Sequence, residues 1–360
     1  MRTGRFEIWS GFAVGFALLV ASSEAQLADD GGDNVSAYSV GSNGVLTAIA
    51  GSPFAAGSKP DSVAVDPSGR FTYVANGGGS NNVSAYSIAP NGALTPIPGS
   101  PFAAGNLPSS VAVDPKGRFL YVVNESGGNI SAYTIGSNGA LTPIPGSPFA
   151  TGADPHELAI DPTAEFAYVA NEVDNDVSAY RVGSDGALTA FALFAAGSFP
   201  LSVTVDPTAK FVYVANEVSN NISAYRIGAN GALTPIPGSP FAAGIGPFSV
   251  AVDPTARFAY VVNEGGNNVS AYRIAPNGAL TPIPGSPFAT GSDPHKAYAT
   301  AKFVYVANEV SRNISVYRIG SNGALTAIPG SPFAGGIGPC AVAVDPTGKF
   351  VYVANKGWPH

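Results

Sequence analysis

Residues 202–241 decide the fold; they read SVTVDPTAKFVYVANEVSNNISAYRIGANGALTPIPGSPF. Short runs rich in β-branched and aromatic residues, such as 203–205 and 211–215, predict strands. Asp206-Pro207 and Asn230-Gly231 follow such runs and are typical of tight turns. The last run, from residue 233, is interrupted by prolines, which cannot donate to a ladder and therefore belong at an exposed edge. The stretch predicts four antiparallel strands, with the proline-rich strand outermost.

The same unit recurs along the chain. Its clearest mark is the tyrosine of a Tyr-Val-Ala/Val-Asn motif, at spacings between 45 and 48 residues. These tyrosines are Tyr73, Tyr121, Tyr168, Tyr213, Tyr260, Tyr305 and Tyr352. A period of this length with four strands per unit is typical of the blades of a β-propeller.

The phase of the repeats predicts how the ring closes. The chain enters at a third strand, near residues 34–40, and its final complete motif is a second strand at 350–355. Residues 341–355 and 34–54 together make one complete blade. We therefore predict an all-β protein with a single domain at 33–360, a seven-bladed β-propeller closed by a two-plus-two clasp of N- and C-terminal strands. The sixth repeat lacks the Val-Asp-Pro turn, so its inner hairpin should be the least regular.

The first 25 residues have the pattern of an export signal. Arg2 and Arg5 precede an apolar run at 8–21, and Ser23-Glu24-Ala25 is a small-x-small cleavage pattern. The run is about 14 residues long, too short to span a bilayer comfortably. We expect cleavage before Gln26, a short linker at 26–32, no transmembrane span in the mature chain, and export to the periplasm, cell surface or medium. An uncleaved anchor is the alternative.

Composition excludes several kinds of partner and chemistry. The net charge of −7 gives no basic stripe for a nucleic acid. The single cysteine, Cys340, rules out an intrachain disulfide framework, and we expect it to be a small buried residue. Three histidines are too few for a His-rich zinc site, so we assign no metal site from the sequence.

The repeated motifs resemble those of the YVTN-repeat, lactonase-type seven-bladed propeller family. The resemblance rests on Val-Ala-Val-Asp-Pro, Tyr-Val-Ala-Asn-Glu and Val-Ser-Ala-Tyr, and covers about residues 33–357. That family includes bacterial 6-phosphogluconolactonases and fungal carboxymuconate cyclases. The resemblance implies a propeller whose activity, if it has one, is that of a lactonase, a carboxylic ester hydrolase.

Two positions in every blade should meet at one mouth of the central channel, because adjacent strands are antiparallel. The first set begins the innermost strands and comprises Asp61, Ser109, His156, Leu201, Phe248, His295 and Cys340. The second set follows the second strands and comprises Gly77, Glu125, Glu172, Glu217, Glu264, Glu309 and Lys356. Residues that break the sevenfold symmetry here are the candidates for function.

Five glutamates of the second set, Glu125, Glu172, Glu217, Glu264 and Glu309, would create a negative field at this mouth. Mutual repulsion would raise the pKa of some of them, or together they would bind a divalent cation such as calcium. The alternative is that they repeat with the blade and point into solvent. No cofactor is required by either interpretation.

The most distinctive segment is Asp154-Pro155-His156-Glu157, which is partly repeated around His295. His156 and Glu172 lie on adjacent strands and are candidates for a general base and its orienting carboxylate. A hydrogen-bonded structural role is the alternative for an isolated histidine.

Comparison with the enzymes of the resembled family changes the expected substrate. Those enzymes have a Gly-Pro-Arg-His segment followed by a glutamate; here His156 and Glu157 occupy the arginine and histidine positions, and Glu172 matches the glutamate. The missing arginine argues against a phosphorylated substrate, which needs fixed cations. The sequence leaves open whether the protein is an enzyme.

Two functions therefore remain. One is an exported propeller that binds a small molecule, a cation or a protein partner at one mouth. The other is a lactone hydrolase of the 6-phosphogluconolactonase-like type that uses His156 and Glu172. The predicted ligand-binding residues are Asp154, Glu157, Glu125, Glu217, Glu264, Glu309 and His295.

Overall fold

The computed structural model describes residues 32–357, and these residues form strands, turns and bends without a helix. The strands make seven antiparallel sheets, whose innermost strands contact one another in a closed cycle. Each sheet is one blade, numbered here from 1 to 7 in the chain order of the innermost strands. The predicted all-β seven-bladed propeller is confirmed; the predicted signal at 1–25 lies outside the described residues.

The innermost strands are Pro60–Val65, Pro108–Val113, Pro155–Ile160, Pro200–Val205, Pro247–Val252, Pro294–Ala299 and Pro339–Val344. The second strands are Phe71–Asn76, Phe119–Asn124, Phe166–Asn171, Phe211–Asn216, Phe258–Asn263, Phe303–Asn308 and Phe350–Asn355. The third strands are Asn82–Ile88, Asn129–Ile135, Asp176–Val182, Asn221–Ile227, Asn268–Ile274, Asn313–Ile319 and Asn34–Val40. In each case the last range belongs to blade 7.

The fourth strands are Leu94–Pro96, Leu141–Pro143, Leu188–Ala195, Leu233–Pro235, Leu280–Pro282, Leu325–Ala327 and Leu46–Ala48. Six blades continue after a Gly-Ser-Pro turn as Phe102–Ala103, Phe149–Ala150, Phe241–Ala242, Phe288–Ala289, Phe333–Ala334 and Phe54–Ala55. Both pieces pair with the third strand, so prolines divide the outer strand in two. Blade 3 lacks the Pro-Ile-Pro-Gly-Ser-Pro segment, and its outer strand is continuous.

The predicted clasp closes blade 7. Asn34–Val40 pairs antiparallel with Phe350–Asn355, from Asn34 opposite Asn355 to Ser39 opposite Phe350. Asn355 Nδ2 donates hydrogen bonds to Asn34 Oδ1 at 2.7 Å and to Ser36 Oγ at 2.9 Å. The same asparagine–serine contact recurs in the other blades, which explains why these residues repeat.

Two tyrosines per repeat tie each blade to its neighbours. Tyr73 of blade 1 donates its hydroxyl hydrogen bond to Gly139 O of blade 2 at 2.9 Å. Tyr38 of blade 7 donates in the same way to Ala334 O of blade 6 at 2.9 Å. Buried hydroxyls need such partners, so the motifs that reveal the repeat are fixed by blade-to-blade contact.

The inner hairpin of blade 6 departs from the others, as predicted. In other blades a turn aspartate such as Asp206 accepts hydrogen bonds from Lys210 N and Phe211 N, both at 2.7 Å. In blade 6, Thr300 Oγ1 replaces that carboxylate. The pairing of its inner strands also breaks over a longer interval, between Pro294 and Ala297, whereas blade 3 skips one residue. Consequently two consecutive residues, His295 and Lys296, lie outside the ladder.

Candidate functional site

The two predicted sets of residues meet at one mouth of the channel. The leading proline of each innermost strand lies opposite the asparagine that ends the second strand, as Pro155 does opposite Asn171. At this mouth lies a cavity of about 160 Å³. It is lined by Asp61, Ser109, His156, Phe248, His295, Lys296, Cys340 and Lys356. All of these except Lys296 belong to the two sets named from the sequence.

His295 is held in this cavity by a carboxylate. Its Nε2 lies 3.0 Å from Glu309 Oε2, and Lys356 Nζ lies 2.7 Å from the same oxygen. Burial alone would raise the pKa of Glu309, but His295 and Lys356 outweigh burial and lower it to about 2. Glu309 is therefore an anion at neutral pH, and its carboxylate favours a proton on His295 Nε2, the ring nitrogen nearest to it, which leaves Nδ1 as the proton acceptor.

His156 has a different partner from the one that the sequence suggested. Its Nδ1 lies 2.8 Å from Leu201 O, and no hydrogen bond joins it to Glu172 within residues 32–357. Because a carbonyl only accepts, Nδ1 carries the proton and Nε2 of the neutral ring is an acceptor. Burial first and Lys296 second lower the pKa of His156. Leu201 O, in the neighbouring blade, therefore holds the His156 ring in the channel, whereas Glu172 lies on the rim.

Both histidines contact the ring of Phe248. His295 stacks on Phe248 with ring centroids 4.4 Å apart, and His156 meets it edge-on at 5.5 Å. These contacts fix both imidazoles within the same cavity wall. The site thus offers two proton acceptors, His156 Nε2 and His295 Nδ1. The second nitrogen of each ring lies against Leu201 O or Glu309.

An ion pair crosses the channel beneath this cavity. Lys296 Nζ lies 3.2 Å from Glu157 Oε1, and their side chains are 13% and 19% exposed. Blades 3 and 6 carry these residues, and at least two other blades separate them in either direction around the ring. Burial alone would lower the pKa of Lys296, but Glu157 and Asp61 outweigh it and raise that pKa. On the far side lies a second cavity of about 410 Å³.

Breaking this ion pair from one side should destabilise the ring more than removing it completely. Lys296→Met leaves Glu157 without its partner in a largely buried position, and we expect a loss of about 3 kcal/mol in the free energy of unfolding. The double variant Glu157→Leu/Lys296→Met should recover most of that loss. Chemical denaturation of both single variants and the double variant measures the coupling. Additive effects below about 0.5 kcal/mol each would contradict a buried pair.

Four rim glutamates form an acidic arc beside the cavity: Glu125, Glu172, Glu217 and Glu264. None of them makes an ion pair within residues 32–357. Burial raises the pKa of Glu125 to about 7, and Asp61, Glu172 and Asp154 add to the shift. Burial, followed by Asp154 and Glu217, also raises the pKa of Glu172. Repulsion between carboxylates therefore contributes to these pKa shifts, as predicted from the sequence. Burial, which the sequence did not predict, is the larger cause.

Glu125→Gln should therefore stabilise the protein at neutral and alkaline pH but not at acid pH. A carboxyl whose folded pKa is raised costs no stability below its unfolded pKa, and the penalty grows as pH rises through the folded pKa of about 7. Allowing for solvent screening, we expect the melting temperature to rise by about 2 °C at about pH 8.5 and to stay unchanged at about pH 4. Thermal unfolding at the two pH values checks this. An equal rise at both would assign the effect to packing.

One group of side chains has the spacing of a cation site. Glu264, Asp293 and His295 each offer a ligand atom, and these atoms lie within 4.8 Å of one another. Burial raises the pKa of Glu264 to about 7, His295 opposes the shift, and a hydrogen bond to Asp293 adds to it. A cation bound between these side chains would offset the repulsion between the two carboxyl groups.

These features define a class: a seven-bladed β-propeller with a polar cavity at one mouth of its channel. The family model described as "Lactonase, 7-bladed beta-propeller" matches residues 18–144 and 149–360. The chain belongs to this lactonase family, which confirms the resemblance seen in the motifs. Comparison with curated proteins gave no match.

Solved structures share the fold across most of the chain. A "putative 6-phosphogluconolactonase" from Bacteroides fragilis has a TM-score of 0.73 at 20% identity, covering 87% of this chain and 98% of its own. A periplasmic gluconolactonase from Pseudomonas aeruginosa gives 0.68 at 19%, covering 83% and 97%. Hydrazine synthase from Kuenenia stuttgartiensis gives 0.65 at 19%, covering 83% and 93%. At these identities the likeness concerns the fold alone.

Within the described part of the chain, no helix is long and apolar enough to cross a membrane.

Proposed function

We propose that this protein hydrolyses a small, uncharged lactone in the mouth cavity, with His295 rather than His156 as the general base. The observation that carries the proposal is the His295–Glu309–Lys356 chain, whose two contacts measure 3.0 and 2.7 Å. A carboxylate that orients an imidazole also stabilises the imidazolium formed when the base takes a proton. His156 has only a carbonyl partner and lacks this stabilisation.

The reaction would proceed by addition of water to the lactone carbonyl. His295 Nδ1 accepts a proton from water, and the hydroxide forms a bond to the carbonyl carbon. Lys356, which keeps free N–H donors besides its contact with Glu309, faces the developing oxyanion. The ring C–O bond then breaks, and the imidazolium returns its proton to the departing ring oxygen. The product is an open-chain hydroxy acid.

The charges of the cavity favour an uncharged substrate. Both lysines in its lining already pair with carboxylates, Lys296 with Glu157 and Lys356 with Glu309. A phosphate group would have to compete with these carboxylates for a cation and would face the acidic arc. Neutral hydroxyls instead find acceptors such as His156 Nε2.

Calcium binding at the mouth is the second candidate, favoured by the Glu264, Asp293 and His295 group. Two carboxylates suit a hard cation, whereas the imidazole suits a softer one. A cation bound there would occupy a nitrogen of His295, so the two candidates compete for the same residue.

We also propose that the protein is exported. It is supported by the N-terminal sequence pattern and by the periplasmic location named for the Pseudomonas aeruginosa gluconolactonase. An extracytoplasmic site suits an unphosphorylated lactone, since sugar phosphates are cytoplasmic metabolites.

Initial rates on D-glucono-1,5-lactone and on its 6-phosphate test the substrate class. At about pH 7, after subtraction of spontaneous hydrolysis, we expect kcat/KM to be at least about tenfold higher for the uncharged lactone, a difference of 1.4 kcal/mol. The assay is run with a chelator and with calcium, and equal rates support a metal-independent reaction. Preference for the phosphorylated lactone, or stimulation by calcium, would overturn the proposal in favour of a cation-supported anion site.

A further inference from the structure

Exposed apolar side chains are concentrated on the rim of the same mouth. Within residues 32–357, the exposed large apolar residues are Val173, Leu193, Phe199, Val218, Ile245, Tyr298 and Val310. Leu193 lies on the outer strand of blade 3, and Tyr298 borders the cavity at the far side of the channel. The other five lie in the loops that surround the mouth, before an innermost strand or after a second strand.

Four of these residues lie on neighbouring loops of blades 3 to 5 and are here called the rim patch: Val173, Phe199, Val218 and Ile245. Their exposed fractions are 50%, 38%, 57% and 67%. Exposed aliphatic side chains are common singly, but a contiguous set on one face marks an interaction site.

Hydrogen bonds join the loops that carry the rim patch. In its first half, Asn175 Oδ1 of the blade 3 loop accepts from Phe199 N at 2.9 Å, and Phe199 O accepts from Glu217 N at 2.8 Å. Glu217 directly precedes Val218, so Val173, Phe199 and Val218 are carried by neighbouring, directly bonded loops.

The second half repeats the arrangement one blade further on. Asn220 Oδ1 accepts from Gly246 N at 2.8 Å, and Gly246 O accepts from Glu264 N at 2.7 Å. Asn175, Phe199 and Asn220 all have positive φ angles, and Asn175 and Asn220 belong to the residue type that tolerates them most readily. The surface is therefore preformed, which reduces the entropy lost when a partner binds.

Carboxylates alternate with the apolar residues along this surface. Glu172 precedes Val173 and Glu217 precedes Val218 in the sequence, and Glu264 lies beside Ile245 because its N–H donates to Gly246 O. None of the three is in an ion pair within the described chain. The loops of blades 7 and 1 carry Lys356-Gly357 and Gly77-Gly78 at the corresponding positions, so the combination is confined to one side of the rim.

We propose that the rim patch is a docking surface for a cationic polypeptide segment of a partner protein, one in which apolar residues alternate with lysine or arginine. Charge complementarity selects this occupant: Glu172 and Glu217, which make no ion pair within the described chain, attract basic side chains and repel an anionic membrane surface. The apolar side chains between them supply the area that such a segment buries. This inference does not depend on the proposed hydrolysis, because the rim patch lies outside the cavity lining.

Blade 3 offers a matched pair of variants to test it. Glu172→Gln/Val173→Ser removes one carboxylate and one exposed aliphatic side chain from the rim. Glu165→Gln/Leu193→Ser removes the same groups from the far end of the same second strand and from the outer strand, where both residues are exposed. The full chain is titrated with a short fluorescent peptide of alternating lysine and leucine, and with one of alternating glutamate and leucine.

We expect the lysine–leucine peptide to bind the wild type and the control variant equally, and the rim variant at least about fivefold more weakly. The glutamate–leucine peptide should bind none of them. Equal binding to both variants, binding of the acidic peptide, or no binding at all would overturn the proposal. So would a wild-type dimer in sedimentation that the rim variant abolishes, because the rim patch would then be covered by a second copy. If the rim variant does not fold, Glu217→Gln alone provides the same comparison.

Discussion

Deleting residues 341–360 should leave a chain that no longer unfolds cooperatively. The deletion removes Phe350–Asn355 and most of Pro339–Val344, including Val342, Val344, Val351, Tyr352 and Val353, none of which is more than 6% exposed. Burial of side chains of this size contributes about 1.5–3 kcal/mol each. Their sum is comparable with the total stability of a typical domain, about 5–15 kcal/mol.

The control for this prediction removes only residues 358–360, beyond the clasp. That chain keeps Asn355 and its contacts with Asn34 and Ser36, and it should melt like the wild type. Circular dichroism and calorimetry compare the two truncations. A chain lacking 341–360 that stays monomeric and keeps the wild-type melting temperature would show that the ring does not need its clasp.

His295→Asn should reduce kcat/KM for the uncharged lactone by about 10²–10⁴-fold, the usual contribution of a general base, with little change in KM. His156→Asn should cost about tenfold or less, because it removes one hydrogen-bond acceptor and a ring contact but leaves the His295–Glu309 pair in place. Steady-state kinetics of both variants, together with their melting temperatures, separate loss of catalysis from loss of folding.

Glu309→Gln distinguishes an orienting carboxylate from a merely structural one. An amide can present either a donor or an acceptor to His295 and carries no charge, so the imidazolium loses its stabilisation. The expected loss in kcat is at least about 10²-fold. A larger loss for His156→Asn than for His295→Asn would restore His156 as the base and contradict the assignment made here.

The fold was predictable because the determinants of a blade are local and repeated. Turn pairs such as Asn230-Gly231 and outer-strand prolines specify each hairpin, and the phase of the motifs specifies the clasp. Cys340 is buried as expected; its thiol lies 3.1 Å from Pro60 O, and burial raises its pKa. These features depend on local interactions whose sequence determinants are repeated along the chain.

The site was only partly predictable because it depends on features that occur in a single blade rather than in every repeat. The sequence predicted that His156 and Glu172 lie at one mouth, but it did not predict that Leu201 O would accept the hydrogen bond of His156. The shortened hairpin of blade 6 could be recognised in the sequence. The longer break in strand pairing, which leaves His295 and Lys296 outside the ladder, could not. The signals that identify Lys296 and Lys356 are their charges at positions where other blades have small or acidic residues.

Nitrogen-detected NMR of the imidazole rings tests the central claim most directly, since the chain has only His156, His295 and His360. At about pH 7.5, where an unperturbed imidazole is mostly neutral, we expect His156 to be protonated at Nδ1. His295 should be protonated at Nε2, and D-gluconolactam, an uncharged analogue that resists hydrolysis, should shift the resonance of His295 Nδ1. If saturating lactam leaves His295 unchanged while the protein still hydrolyses the lactone, the reaction does not occur beside His295 and the proposed site is wrong.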